Sequence, residues 1–106
     1  MKSQGETRRV LIVEDDAKIR ANLVFQLREQ GFETHAFPGA EAAITWLDGS
    51  ADPPDLLLSD VRLPGMSGIE LVRRLAAENR LPSTIVVSGE ASISETVEAL
   101  KLGVHD

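Results

Sequence analysis

The chain has no cysteine, which removes disulfides, thiolate metal sites and thiol nucleophiles from consideration. It has no apolar run near the ~20 residues that a membrane-spanning helix needs. Its opening, MKSQGETRR, lacks the apolar centre of a secretory signal. These absences predict a soluble, cytoplasmic protein with no membrane partner. Basic residues are also in short supply: 11 Lys and Arg stand against 17 Asp and Glu, a formal net charge of −6. Attraction to nucleic-acid phosphates needs a basic face, so direct nucleic-acid binding is not expected. Histidine is limited to His35 and His105, too far apart for metal-ligand spacing, and both read as surface residues. The lone Trp46 reads as packing rather than a binding platform. No repeat, linker or low-complexity tract divides the sequence.

What remains is enough for one domain: 106 residues with 42% apolar content can bury a single core. Residues 1–9 read as a polar lead-in, and the domain is expected over 10–106. Val10-Leu11-Ile12-Val13 is a continuous apolar run, as in a strand buried on both faces of a parallel sheet. Ile19, Leu23 and Leu27 recur at four-residue spacing and predict a helix over 17–30, with Gly31 closing it. Val24 lies at the edge of that face and Phe25 off it. Residues 32–37 alternate with Glu33 and His35, which suits an edge strand. Ala43, Ile44 and Leu47 mark a short second helix, stopped by the turn-rich stretch 48–54.

Leu56-Leu57-Leu58 predicts a third strand that delivers Asp60 at its C-terminal end. Ser67 and Glu70 have capping-box spacing, and the helix they open is expected to turn Ile69, Val72, Leu75 and Ala76 inward. Ile85-Val86-Val87 predicts a fourth strand ending at Ser88-Gly89. A second capping box, Ser92 to Glu95, opens a fourth helix that Gly103 closes. Strands alternating with helices predict an α/β fold, a flavodoxin-like doubly wound parallel sheet of order 2-1-3-4. Ligands of such sheets bind at the carboxyl ends of the strands. Those ends carry Glu14-Asp15-Asp16, Asp60 and Ser88-Gly89.

Carboxylates gathered on one rim repel one another, and a hard divalent cation with oxygen ligands relieves that conflict. Mg2+ (or Mn2+) suits it, because it keeps several waters and needs only one or two carboxylates. A cation beside Asp60 would neutralise an incoming phosphoryl group and leave the carboxylate free to attack it. Ser88 could offer its hydroxyl, and Gly89 its backbone N–H, to phosphoryl oxygens. Taken singly, strand-end acids are often caps or turn formers, Ser88 a turn residue, and Pro64, Gly65 and Gly68 loop punctuation. The joint pattern is what carries the chemical reading.

The stretches VLIVEDDAKIR, LLLSDVRLPGMSGIELVRRL, TIVVSGEAS and VEALKLGVHD occur in the order and spacing of a known family. Beyond residue 9 the chain resembles the receiver domain of two-component response regulators. The resemblance implies that Asp60 is the phosphoacceptor, taking a phosphoryl group from a phosphohistidine on a sensor histidine kinase. It implies a metal held by Asp15 and Asp60, by Glu14 through water, and by the backbone carbonyl of Arg62. Asp16 would fall outside that set. Ser88 would be the hydroxyl that reports phosphorylation, and Gly89 the small residue that leaves room for the phosphoryl group. The protein would be a phosphoacceptor with slow hydrolysis rather than a turnover enzyme. EALKLGVHD and SGEAS further resemble receivers attached to ATPase activators of alternative-sigma-factor transcription, whose output would include ATPase and DNA-binding domains.

The family's domain continues into a fifth strand, a lysine-proline turn and a fifth helix. In that register the sequence stops first, and neither Lys18 nor Lys101 stands where the lysine would be. The expected consequence is self-association through the exposed edge of the fourth strand and the face beside Phe25. A further reading is a receiver-shaped interaction module that is not phosphorylated. Two other readings have less behind them. A metal-dependent hydrolase lacks a second nucleophile and an acidic pair at the third strand, where the sequence reads Asp60-Val61-Arg62. A dinucleotide-binding domain requires a glycine-rich turn where the first strand ends in Glu14-Asp15-Asp16.

Overall fold

The computed structural model describes residues 8–87. The expectations for Ser88, Gly89, the helix after Ser92, Lys101 and His105 lie outside the described residues. Four parallel strands, β1 (Arg9–Val13), β2 (Glu33–Phe37), β3 (Leu56–Asp60) and β4 (Ser83–Val87), form a sheet of order β2-β1-β3-β4. The helices are α1 (Ala17–Glu29), α2 (Ala40–Gly49) and α3 (Gly68–Ala77). The predicted strand order therefore holds, and the alternating strand lies at an edge as expected. β1 takes in Arg9 as well, whose Cα pairs in register with Glu33.

Strand alternation divides the core into two layers. Val10, Ile12 and Leu58 face one side and pack with Leu23 and Leu27 of α1. Leu11, Val13 and Leu57 face the other and pack with Ala43 and Ile44 of α2 and Leu71 and Leu75 of α3. Neighbouring side chains of a strand point to opposite faces, so an unbroken apolar run serves both layers. Each fully buried leucine contributes roughly 1.5–3 kcal/mol relative to exposure, which makes this two-sided sheet the main source of stability.

The helix ends follow local chemistry. The Asp16 carboxylate accepts the Lys18 and Ile19 N–H groups at 2.9 and 3.0 Å, capping α1. At the other end Gly31 adopts φ +92°, and the Gly31 and Phe32 N–H groups donate to the Arg28 and Leu27 carbonyls. That paired closure needs a left-handed residue, which glycine supplies without strain. The Ser67–Glu70 capping box is present in full at α3.

Two expectations are corrected. The inward face of α3 is Gly68, Leu71 and Leu75 with Val72 beside them, whereas Ile69 is 41% exposed and Ala76 lies outside. Residues 68, 71, 72 and 75 share one helical stripe, so Val72 and Leu75 face inward as expected while Ile69 and Ala76 fall outside it. His35 is not a free surface residue. Its ring stacks on Trp46 at 4.6 Å between centroids, and Nε2 lies 2.6 Å from Glu33 Oε2. Trp46 packs as expected, tilted against Phe37. Phe25 stands off the α1 stripe and is 64% exposed, as read from its position.

Candidate functional site

β1 ends at Val13, and the next residue, Glu14, is fixed by its backbone N–H donating to the Phe37 carbonyl at 3.0 Å. The tie draws Glu14 into the sheet rim, where it is buried. Its Oε2 accepts the Asp16 N–H at 3.0 Å. Asp15 follows on the exposed side of the same turn. Across the sheet, Asp60 closes β3, the strand paired with β1 on one side and β4 on the other. Carboxylate oxygens of Glu14, Asp15 and Asp60 lie within 4.8 Å of one another. Adjacent parallel strands ending at the same level bring them together; nothing in the acids themselves would.

Like charges this close are costly. Two carboxylates at 4.8 Å repel by about 3 kcal/mol at an effective dielectric of ~20, before screening. The Glu14 carboxyl is raised above its usual range, chiefly by burial. The Asp16 N–H opposes that shift, while the charges of Asp60 and Asp15 add to it. The donor set is all oxygen and all carboxylate, within the reach of one small ion, and this fits Mg2+ chemistry. Asp16 is committed elsewhere, as the cap of α1.

Asp60 is held from several directions. Its Oδ1 accepts the Arg62 N–H at 3.2 Å, and its carbonyl accepts the Ser59 hydroxyl at 3.0 Å. Val61 N–H donates to the Val87 carbonyl at 2.8 Å, and Gly68 N–H donates to the Val61 carbonyl at 3.0 Å. Arg62 thus stands in the loop directly after Asp60, hydrogen-bonded to it. Val87, the last described residue, pairs in register with Asp60.

Three features of the rim escaped the sequence reading. Gly68 is packed so tightly under Asp60 that a Cβ there would lie 2.1 Å from the Asp60 carbonyl oxygen. Arg20, one turn into α1, donates from Nη1 to the Glu14 carbonyl at 2.9 Å. Glu41, on α2, accepts the Met66 N–H at 3.1 Å. The Arg20 and Glu41 contacts join residues that only the folded chain brings together. Gly68 had a signal, a glycine inside a capping box, but it reads equally well as punctuation.

A family model of the response regulator receiver domain matches residues 10–106. The chain belongs to that family. The receiver is 35% identical over 97 residues to transcriptional regulatory protein FixJ of Bradyrhizobium diazoefficiens, a match covering 92% of this chain and 46% of FixJ. Two-component response regulator PhoP of Pseudomonas aeruginosa is 35% identical over 98 residues, covering 92% of this chain and 43% of PhoP. Among solved structures, a response regulator receiver protein from Pseudomonas putida superposes with a TM-score of 0.73 at 35% identity. That match covers 96% of this chain and 84% of the other. The chain spans less than half the length of the curated relatives named here. Among the described residues no helix is long and apolar enough to cross a membrane.

Proposed function

We propose that this receiver accepts a phosphoryl group on Asp60 from a phosphohistidine of a sensor histidine kinase. The observation that carries the reading is the convergence of Glu14, Asp15 and Asp60 within 4.8 Å, with Asp60 at the end of an interior strand. One Asp60 carboxylate oxygen attacks phosphorus, an O–P bond forms, and the N–P bond breaks as the imidazole leaves with its electron pair. Arg62 N–H, bonded to Oδ1, holds the carboxylate and leaves the other oxygen to react. Asp15 and Asp60 would hold Mg2+, with Glu14 acting through water and Arg62 through its carbonyl. A bound Mg2+ supplies charge neutralisation to the phosphoryl oxygens. Ser88 and Gly89, assigned from their sequence position after β4, would donate to those oxygens. Asp60 would lose the group slowly by hydrolysis.

In the whole protein this step would control an output domain, and the names of its regulatory relatives support transcription as that output. The test is incubation with Mg2+ and acetyl phosphate followed by intact-mass measurement. One phosphoryl adduct on the wild type, absent from Asp60→Asn and from a chelator-treated sample, is the expected result. Measurable Mg2+ binding without an adduct would instead favour an interaction module that is not phosphorylated.

A further inference from the structure

The loop between β3 and α3, residues 61–67, carries Arg62 and so shapes the proposed metal site. Its ends are fixed. Val61 is bonded to Val87 and Gly68, and Ser67 belongs to the capping box of α3. Between those anchors the chain turns through Pro64 and Gly65, the latter at φ +73°. A loop has no ladder of its own, so its backbone groups need partners from elsewhere. Leu63 and Met66 pack against the core beneath α2 and α3, which holds the loop's apolar side. Its polar side is held by Glu41, in the first turn of α2, whose Oε2 accepts the Met66 N–H at 3.1 Å.

The contact is charge-assisted and built on both sides. The Met66 N–H holds the Glu41 carboxyl below its usual range. Gly65 makes room for the same group: a Cβ at that position would stand 2.7 Å from Glu41 Oε2. A left-handed turn and a close approach therefore coincide at one glycine. Both requirements are met where the loop must lie against α2 for Arg62 to stay beside Asp60.

We infer that Glu41 is a positioning residue for the acidic site: by gripping the Met66 amide it fixes the turn that carries Arg62 to Asp60. The inference rests on the phosphoacceptor reading, in which the Arg62 carbonyl is a metal ligand. Glu41 touches neither the metal ligands nor the phosphoryl group; it acts through the loop. Glutamine at 41 would keep an acceptor oxygen without the charge. Aspartate would fall short by one carbon–carbon bond, about 1.5 Å. Alanine would remove the tie yet keep the helix, since Glu41 is exposed and alanine is the stronger helix former.

The test measures Mg2+ affinity of the full chain by calorimetry, beside urea unfolding in chelator. Glu41→Ala is expected to weaken Mg2+ binding about five- to tenfold, less than the full worth of a charge-assisted hydrogen bond because Glu41 acts only through the loop. Glu41→Gln should recover more than half of that loss, Glu41→Asp little of it. Gly65→Ala, which displaces the carboxylate, should weaken binding by a similar factor. A purely structural role would lower the urea midpoint and leave affinity alone. Glu41→Ala within twofold of wild-type affinity therefore overturns the inference. If the wild type binds Mg2+ and Asp15→Asn loses it, that failure concerns Glu41 alone. If the wild type itself binds no Mg2+, the phosphoacceptor reading and this inference fall together.

Discussion

Two corners of the same sheet use carboxylates in opposite ways. At the start of β1, charges are matched. Arg9 Nε lies 3.2 Å from Glu33 Oε2, its Nη1 donates to the Asp52 carbonyl, and its backbone N–H donates to the Asp55 carboxylate. His35 reaches Glu33 from the other side, and Trp46 stacks over His35 with the Arg9 guanidinium 5.5 Å from its ring. Glu33 is accordingly held below its usual range, first by His35 and then by Arg9. At the far end of β1, Glu14 is buried among like charges and raised. Only residues 10–13 separate Arg9 from Glu14. One end spends its polar groups on holding strands and α2 together, and the other leaves them opposed to each other. An opposition of this kind is what a bound cation would relieve, and the contrast supports the proposed site at the acidic rim.

The sharpest way to break the contrast is to disturb the backbone beneath the acidic rim. Gly68→Ala would put a methyl group 2.1 Å from the Asp60 carbonyl oxygen, a distance no real contact allows. Alanine's better helix propensity offers up to about 1 kcal/mol in return. Overpacking against rigid backbone costs about 1–3 kcal/mol and sometimes more, so the clash wins. Gly68→Ala should lower the urea unfolding free energy by about 2 kcal/mol and sharply reduce phosphorylation by acetyl phosphate. Unchanged stability and adduct yield would mean that Asp60 does not need its present backbone position.

The contrast also shows what a sequence can disclose. The strand order, the Gly31 and Ser67 ends of the helices and the gathering of Glu14, Asp15 and Asp60 were legible because each follows from local pattern plus one topological rule. Apolar runs name strands, alternation with helices makes them parallel, and parallel strands end on one rim. Half of the inward face of α3 was missed because Ile69 and Leu71 are both apolar, and their spacing does not say which of them turns inward beside Gly68, which is packed against Asp60. The matched corner was illegible for another reason. Arg9, Glu33, His35 and Trp46 come from three elements; Trp46 alone reads as packing and the other three as ordinary surface residues. The grip of Glu41 on Met66 spans 25 positions and has no sequence signature at all.

A gentler test removes one of the opposed charges. Glu14 is raised in the fold, so its contribution to stability is complete below its unfolded pKa, near 4.5. That contribution is lost as pH climbs through the raised folded value. In chelator at pH 7, Glu14→Gln should therefore be more stable than wild type, by about 1 kcal/mol, or several degrees in melting temperature. The gain should vanish near pH 4, where the wild-type group is already protonated. Mg2+ affinity should fall in the same variant, so the substitution that steadies the empty fold weakens the site. A variant less stable than wild type at pH 7 would show that the Asp16 N–H bond outweighs burial and repulsion at Glu14.

The smallest effect belongs to the matched corner, and its sign should be the reverse. Glu33 is lowered in the fold, so its contribution is present above the unfolded pKa and disappears as pH falls through the lowered folded value. Glu33→Gln should be slightly less stable than wild type at pH 7, by no more than about 2 °C in melting temperature, because exposed ion pairs are weak. The difference should shrink further with added salt, which screens exposed pairs. It should close at low pH, over the same acid range in which the Glu14→Gln advantage closes from the other direction. Mg2+ affinity should stay at the wild-type value, since Glu33 and the acidic rim lie at opposite ends of β1. Two glutamate-to-glutamine changes on one sheet, with opposite signs at pH 7 and convergence in acid, would separate a charge that stabilises the fold from one that the fold tolerates for its chemistry. If Glu33→Gln instead weakened Mg2+ binding, the two corners would be coupled through β1, and the acidic rim could no longer be treated as an independent site.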